Sequence, residues 1–179
     1  MKLLRALLVG LLGPTLRGLG RLRVQGLEQL PSEGPWMLAC NHPAFVDSFW
    51  VHLALPVDPS VVGAHPRLFA SAPKRALMAL GKVRRVDDDA VFHRVIDQVI
   101  GAGEVALVYP EGGRRPQGLG DFGERVCEAA GRLGCPVVPA WIAGTYPGQR
   151  GPVELRIGTS LRAPSTHQLR AAIAALGTA

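Results

Sequence analysis

The fold is decided largely by the stretch Trp36-Met37-Leu38-Ala39-Cys40-Asn41-His42-Pro43-Ala44-Phe45-Val46-Asp47. It begins with five apolar residues, a run of strand length, and polar residues follow at once. The histidine and the aspartate, five positions apart, can meet across a single turn. Asp47 would then hold one ring nitrogen of His42 and leave the other free to take a proton from a substrate hydroxyl. Taken alone, the pair is more simply explained as a helix cap beside a polar neighbour.

A second unusual segment, Tyr109-Pro110-Glu111-Gly112-Gly113-Arg114-Arg115, also follows an apolar run. Two glycines let backbone N–H groups approach an anion, and guanidinium forks match phosphate oxygens, so the segment predicts an anion cradle. In the alternative reading, Glu111 caps the amides of the loop and the arginines are solvated surface charge. Residues 112–123 read as a long functional loop, because twelve residues of coil are unusual in a compact domain.

The body of the chain alternates between strand and helix patterns. Short apolar runs bounded by glycine and proline are of strand length, and amphipathic stretches lie between several of them. This alternation predicts a single α/β domain, with a mixed central sheet flanked by helices. Loops after strand ends are where such sheets build their sites. The predicted strands are Leu22–Val24, Trp36–Cys40, Val61–Val62, Val83–Val86, Val105–Tyr109, Val137–Ile142 and Val153–Ile157. Three helices are predicted: one from Asp88 or Asp89 to the residue before Gly101, one from Glu124 to the residue before Gly134, and one from Thr166 to the residue before Gly177.

Nearly all of the net positive charge lies in an N-terminal arm, residues 1–23. The arm holds five basic residues and no acidic residue, in a chain with a formal net charge of +6. Its apolar run, Ala6–Leu12, is shorter than the about 20 residues that cross a bilayer. No small-x-small cleavage site follows it. The arm therefore predicts a basic amphipathic helix in the membrane interface, attached to one domain over 24–179. A helix packed on its own domain or on a partner protein is the alternative, and nucleic acid is disfavoured because no aromatic platform accompanies the basic residues.

Together, these segments resemble the successive motifs of the glycerolipid acyltransferases, of which the lysophosphatidate acyltransferases are the best-known members. The motifs occur in order as Asn41-His42 with Asp47, then Tyr109-Pro110-Glu111-Gly112 with Arg114, then Val138-Pro139-Ala140. A preamble, Val24-x-Gly26-x-Glu28-x-Leu30-Pro31, precedes them. The resemblance spans residues 22 to 160 and rests on a combination that is far more specific than either polar segment alone.

The resemblance implies a role for each matching position. His42 is expected to be the general base that activates an acceptor hydroxyl for attack on an acyl thioester, and Asp47 is expected to stabilise the imidazolium. No covalent acyl-enzyme is expected, and the sequence has no Gly-x-Ser-x-Gly elbow. No metal and no bound cofactor are expected either. The acceptor is expected to be bound by Asn41, Glu111, Gly112, Gly113, Arg114 and one of Arg84 and Arg85, with Val138 and Pro139 supporting the acyl side.

The chain departs from the family in its second motif. There, an apolar strand of the family leads to an arginine that binds the acceptor, whereas this chain has Asp87-Asp88-Asp89 at that place. Arg84 or Arg85 can substitute, but neighbouring strand residues point to opposite faces, so only one of them can reach the site. Phe122 is followed by Gly123-Glu124 where the family often has a lysine. These departures affect the expected binding of the acceptor's phosphate more than the expected acyl transfer.

The predicted protein is a membrane-associated acyltransferase on the cytoplasmic face of the membrane. It is expected to move a fatty acyl group from an acyl-CoA or acyl-carrier-protein thioester to a lysolipid hydroxyl, with lysophosphatidate as the first choice. Its expected partners are membrane lipids and the thioester donor, and its expected place is phospholipid biosynthesis or remodelling. The alternatives are an acyltransferase with another lysolipid acceptor and a catalytically silent lipid-binding protein of the same fold.

Overall fold

The computed structural model describes residues 10–11, 14–15, 20–64, 66–146 and 148–178. In this part of the chain the strands are β1 (Leu22–Gln25), β2 (Met37–Cys40), β3 (Ser60–Ala64), β4 (Val83–Arg85), β5 (Ala106–Val108), β6 (Val137–Ala143) and β7 (Val153–Ile157). They form one sheet in the order β1-β7-β6-β2-β5-β3-β4. The strands β2 to β6 run parallel, whereas β7 is antiparallel to β6 and β1 is parallel to β7. The predicted mixed central sheet is confirmed.

Five α-helices accompany the sheet in the described residues. They are α1 (Asp47–Ala54), α2 (Ala72–Leu80), α3 (Asp89–Gly101), α4 (Arg125–Leu133) and α5 (Thr166–Thr178), and short 3-10 turns cover Leu27–Gln29 and Pro66–Phe69. The sequence predicts α3, α4 and α5. The start of α3 is fixed as expected, because the Asp88 carboxylate accepts a hydrogen bond of 2.8 Å from the Val91 amide. The helices α1 and α2 are found only in the structure.

The sequence predicts that the last helix ends before Gly177, whereas in the structure α5 continues through Gly177 to Thr178. A Cβ atom at position 177 would lie 2.9–3.0 Å from atoms of the Trp141 indole. The glycine therefore allows α5 to pack directly against the Trp141 ring, and it acts as a close-contact residue instead of a helix stop.

The side chains of β2 alternate between two cores. Leu38 and Cys40 pack in a cluster with residues of α1, while Met37 and Ala39 pack in a cluster with residues of α3, α4 and α5. All four are completely buried. Helices thus cover both faces of the central strands, which explains why these strands are continuous apolar runs in the sequence.

The carboxyl ends of β2 and β5 lie side by side at one edge of the sheet. Leu38 is in register with Leu107, and Ala39 with Val108. The segments that begin at Asn41 and Tyr109 therefore leave adjacent parallel strands at the same edge. This is where parallel sheets place their sites, and it brings together motifs that lie about seventy residues apart.

Most of the predicted interface helix lies outside the described residues. Only Gly10 and Leu11 of its apolar run are described. Within the described part of the chain, no helix has both the length and the apolar character needed to cross a membrane. The strand β1 begins at Leu22, so the sheet starts within the last residues of the predicted arm.

Candidate active site

The side chains of His42 and Asp47 meet directly after β2. The chain turns through residues 41–46 and enters α1 at Asp47, whose amide donates to the Ala44 carbonyl at 3.3 Å. The Asp47 Oδ2 atom lies 2.8 Å from His42 Nδ1 and accepts a second hydrogen bond of 2.8 Å from the Ala44 amide. Because an ionised carboxylate only accepts, this contact favours the tautomer of His42 in which Nδ1 carries the proton and Nε2 keeps its lone pair. Asp47 is fully buried, so its charge acts on the imidazole with little solvent screening.

The main chain of His42 is held on both sides by the second motif. Its N–H donates to Glu111 Oε1 at 3.0 Å, and its carbonyl accepts from the Arg115 amide at 2.8 Å. The other Glu111 oxygen accepts from the Gly120 amide at 2.8 Å. Position 120 has little room for a side chain, because a Cβ there would lie 3.0 Å from Glu111 Oε2. Glu111 therefore ties the His42 turn to the long loop after β5.

The imidazole of His42 lies flat on the ring of Tyr109. The ring centroids are 3.9 Å apart and the planes differ by 17°. The Tyr109 hydroxyl shares a hydrogen bond of 2.8 Å with Ser48 Oγ on α1. Burial raises the pKa of the Tyr109 hydroxyl well above its ordinary value, so this group stays neutral. Its hydrogen bond to Ser48 holds the Tyr109 ring in place against α1.

Cys40 lies two residues from the histidine but is not an exposed thiol. It is completely buried, and burial raises its pKa well above the ordinary value, with the negative charges of Asp47 and Glu111 adding to the effect. A thiol in such surroundings stays protonated and is a poor nucleophile. Cys40 is therefore a poor candidate for a nucleophile at this edge of the sheet.

His42 opens into a cavity of about 720 Å³. Its walls are mainly apolar and come from α1, β3, the 66–69 turn, α2 and β4. Three arginines and no carboxylate lie among its lining residues in the described chain. The lining residues are His42, Phe45, Val46, Ser48, Phe49, His52, Val61, Val62, Gly63, Arg67, Leu68, Leu77, Met78, Leu80, Gly81, Val83, Phe92, Tyr109, Gly112, Gly113, Arg114 and Arg125. Such a cavity suits an amphiphile with a long apolar part and an anionic group.

Of the predicted acceptor-binding residues, Gly112, Gly113 and Arg114 line this cavity. Gly112 adopts a positive φ of 65°, a conformation that glycine adopts without strain. Its amide closes a turn onto the Tyr109 carbonyl at 3.0 Å. The loop thus turns sharply and carries Arg114 to the cavity beside the histidine.

Arg125 is a cavity residue that the sequence reasoning missed. Its guanidinium lies 4.7 Å from the centroid of the Phe92 ring and 3.2 Å from Asp89 Oδ1. A Cβ at Gly112 would lie 3.6 Å from its Nη2 atom, which places the guanidinium against the glycine loop. The only sequence signal is its position, as the first residue of α4 after the long loop.

Four of the predicted substrate-side residues lie in or beside the central strands and do not line the cavity. The Asn41 carboxamide donates to the Ile142 carbonyl at 3.0 Å and accepts from the Ile142 amide at 2.6 Å, so it continues the pairing of β2 with β6. Val138 and Pro139 lie in β6, on the other side of β2 from β5, and Val138 is buried in the core. Glu111 binds backbone amides, as in the alternative reading of its sequence.

Arg84 and Arg85, the predicted substitutes for the missing arginine, are exposed on the edge strand β4 and are absent from the cavity lining. The Arg85 guanidinium is paired with Asp87 at 2.7 Å. Arg84 contributes to lowering the pKa of the Glu104 carboxyl, although its effect is smaller than that of the Ser60 hydrogen bond. The geometry therefore gives no support to either arginine as an acceptor ligand.

No group of three or more His, Cys, Asp or Glu side chains in the described residues is arranged to hold a metal ion. The three cysteines are free, with Cys40 and Cys135 buried and Cys127 half-buried.

A family model described as Acyltransferase matches residues 21–143, which hold the sheet's central strands, the His42–Asp47 pair and the glycine loop. This match covers more than half of the chain, and the chain therefore belongs to the acyltransferase family. It is therefore an enzyme of acyl transfer, as the motifs predict.

The fold is similar to that of the 1-acyl-sn-glycerophosphate (LPA) acyltransferase PlsC from Thermotoga maritima, known from a crystal structure. The TM-score is 0.73, over 97% of this chain and 80% of that chain. The sequences are 20% identical, so this likeness concerns the fold. No curated protein sequence matches the chain.

Proposed function

We propose that this acyltransferase transfers a fatty acyl group from a thioester to the hydroxyl of a lysophosphatidate-type lipid, with His42 as the general base. One observation carries the proposal. An imidazole oriented by a buried carboxylate opens into an apolar cavity that has three arginines and no carboxylate among its described lining residues. The imidazole suits deprotonation of a hydroxyl, the apolar walls suit an acyl chain, and the arginines suit a phosphate.

The chemical step follows from the tautomer. Nε2 of His42 takes the proton of the acceptor hydroxyl while its oxygen attacks the thioester carbonyl carbon. The tetrahedral intermediate then expels the thiolate, the new C–O bond replaces the C–S bond, and the imidazolium returns its proton to the leaving sulfur. Asp47 stabilises the imidazolium in between, and a base of this kind contributes about 10²–10⁴-fold in rate. Direct transfer agrees with the protonated, buried state of Cys40.

The acceptor's anion is proposed to lie between the glycine loop and the start of α4. Arg114 and Arg125 line the cavity there, beside Gly112 and Gly113. A guanidinium matches two phosphate oxygens at once, and the two glycines place no side chain between the anion and the loop. A lysolipid with another anionic head group is the second candidate acceptor, since nothing in this arrangement reads the group beyond its charge.

A catalytically silent lipid-binding protein would not need the arrangement around His42. Its main chain is held on both sides, its Nδ1 is held by Asp47 and its ring is stacked on Tyr109. Lipid binding alone requires none of these contacts. The preorganised base therefore favours catalysis over lipid binding alone. We further propose that the donor is acyl-CoA or acyl carrier protein and that no metal is bound. We also propose that the enzyme is attached to the cytoplasmic face of a membrane.

The test is thiol release from a long-chain acyl-CoA, and separately from an acyl carrier protein, by the purified chain with and without lysophosphatidate in mixed micelles. We expect release only when the acceptor is present, with phosphatidic acid as the product in mass spectrometry. Equal release without acceptor would identify a thioesterase. No release with either donor and any lysolipid would leave the binding protein as the better description.

A further inference from the structure

The mouth of the cavity is surrounded by exposed apolar side chains. Phe45, Val46, Phe49 and Leu77 are 47%, 42%, 49% and 54% exposed, and all four line the cavity. They are four of the seven large apolar side chains that are exposed in the described residues. Three come from the start of α1 and the turn before it, and the fourth comes from α2. A cluster of exposed apolar side chains at a cavity entrance marks a surface that contacts a membrane, a ligand or a partner protein.

The helix that carries Leu77 is hardly packed on the rest of the protein. Residues 72–77 of α2 are all exposed, and Met78 is its one buried residue. Lys74 lies three positions before Leu77 and therefore on the neighbouring turn of the same side. A helix with one edge in the core and an exposed leucine beside a lysine has the make-up of an interfacial helix.

The segment that forms α2 and the residues on either side of it is basic. The segment 59–86 contains six basic residues and no acidic residue. Two of them are engaged elsewhere, since Lys82 is paired with Glu104 at 3.1 Å and Arg85 with Asp87 at 2.7 Å. Arg67 lines the cavity, and Lys74 and Arg75 are exposed on α2. Basic side chains next to exposed apolar ones match an anionic lipid surface, because the charges meet head groups while the apolar groups enter the acyl boundary.

We infer that this mouth is a membrane-docking surface of the domain itself, distinct from the N-terminal arm. It consists of Phe45, Val46, Phe49 and Leu77 with Arg67, Lys74 and Arg75, and its partner is an anionic bilayer. Seated this way, the cavity opens toward the leaflet, and a lipid reaches His42 without its acyl chain crossing water. That the entering lipid is a substrate rests on the proposed function, whereas the docking does not.

The experiment reads the position of single side chains while the whole chain is bound to vesicles. Phe49→Cys and Leu77→Cys are each labelled with the environment-sensitive fluorophore NBD in a Cys127→Ala background, since Cys40 and Cys135 are buried. Ala171→Cys, exposed on α5, is the matched control. Vesicles are made of phosphatidylcholine with or without phosphatidylglycerol, and flotation measures binding of each labelled chain.

We expect a blue shift and a several-fold rise in NBD emission at positions 49 and 77 on anionic vesicles, and neither at position 171. The charge-reversed pair Lys74→Glu/Arg75→Glu should reduce both responses by several-fold, whereas Arg94→Glu/Arg150→Glu, with the same change of charge at exposed sites elsewhere, should not. Equal responses at 49, 77 and 171, no response at 49 and 77 on floated protein, or no flotation would each overturn the inference. Since turnover is not needed, failure here is distinguishable from failure of the proposed acyl transfer.

Discussion

The surroundings of His42 and the mouth of the cavity are built in opposite ways. Around His42, the main chain is hydrogen-bonded on both sides, the ring is held by Asp47 and Tyr109, and the supporting carboxylates are buried. At the mouth, large apolar side chains and an almost unpacked helix face outward. A base must be fixed before the substrate arrives, whereas a surface that meets lipids needs exposed apolar area.

The largest expected effect comes from removing the fixed base. His42→Gln keeps a polar group of similar size but lacks a nitrogen that can exchange a proton at neutral pH. We expect acyl transfer to fall by about 10²–10⁴-fold. The measurement is thiol release with lysophosphatidate, and His167→Gln on exposed α5 is the matched control. Turnover within a few fold of the wild type would remove His42 as the base.

The second prediction concerns a variant that weakens the support of the His42 main chain and leaves the imidazole ring unchanged. Glu111→Ala leaves the amides of His42 and Gly120 without their acceptor, and a hydrogen bond to a charged group contributes about 1.5–3 kcal/mol. We expect the free energy of unfolding in urea to fall by about 3 kcal/mol. Turnover should fall by roughly tenfold or more, because His42 is no longer positioned.

The matched control for that change is Glu28→Ala, which removes an exposed carboxylate. Glu111→Gln keeps one oxygen that accepts, and should lie between the wild type and the alanine variant. A Glu111→Ala variant that loses acceptor affinity but neither stability nor turnover number would instead make Glu111 an acceptor-binding residue, as the family resemblance implies.

The third prediction concerns Arg125, which lines the cavity between the surroundings of His42 and the cavity mouth. Arg125→Gln removes a guanidinium from the cavity wall, and we expect the KM for lysophosphatidate to rise by about 10–100-fold, the equivalent of one charged hydrogen bond. Arg85→Gln is the control, because that side chain is paired with Asp87 outside the cavity. Assays with monoacylglycerol as acceptor separate the phosphate from the rest of the molecule. If Arg85→Gln raised the KM for lysophosphatidate more than Arg125→Gln does, the acceptor's phosphate would instead be bound by the arginine of β4.

These two regions also differ in how far the sequence predicts them. β2 and β5 are buried on both faces, so each is a continuous apolar run followed directly by a polar motif. The helix α2 buries only Met78 fully, and its nine residues are fewer than the roughly 11–18 over which a helical apolar repeat is recognised in a sequence. The direction of Glu111 toward amides, and of Arg125 toward the cavity, depends on contacts between distant segments and has no local signal.

The smallest effect is expected for the hydroxyl of Tyr109. Tyr109→Phe keeps the stack on His42 but removes the hydrogen bond to Ser48, which contributes about 0.5–1.5 kcal/mol. Turnover should fall by less than about tenfold, and Ser48→Ala should cause a similar loss that does not add to it in the double variant.

The pH profile distinguishes this fastening role from a chemical one. Because burial raises the pKa of Tyr109 well above its ordinary value, the neutral hydroxyl persists through the neutral and mildly alkaline range. Removing it should lower the whole profile of turnover against pH without moving its midpoint, which belongs to the group that exchanges the proton. A shifted midpoint in Tyr109→Phe, with Ser48→Ala unchanged, would mean that the phenol takes part in proton transfer. The stack would then be more than a support for the base.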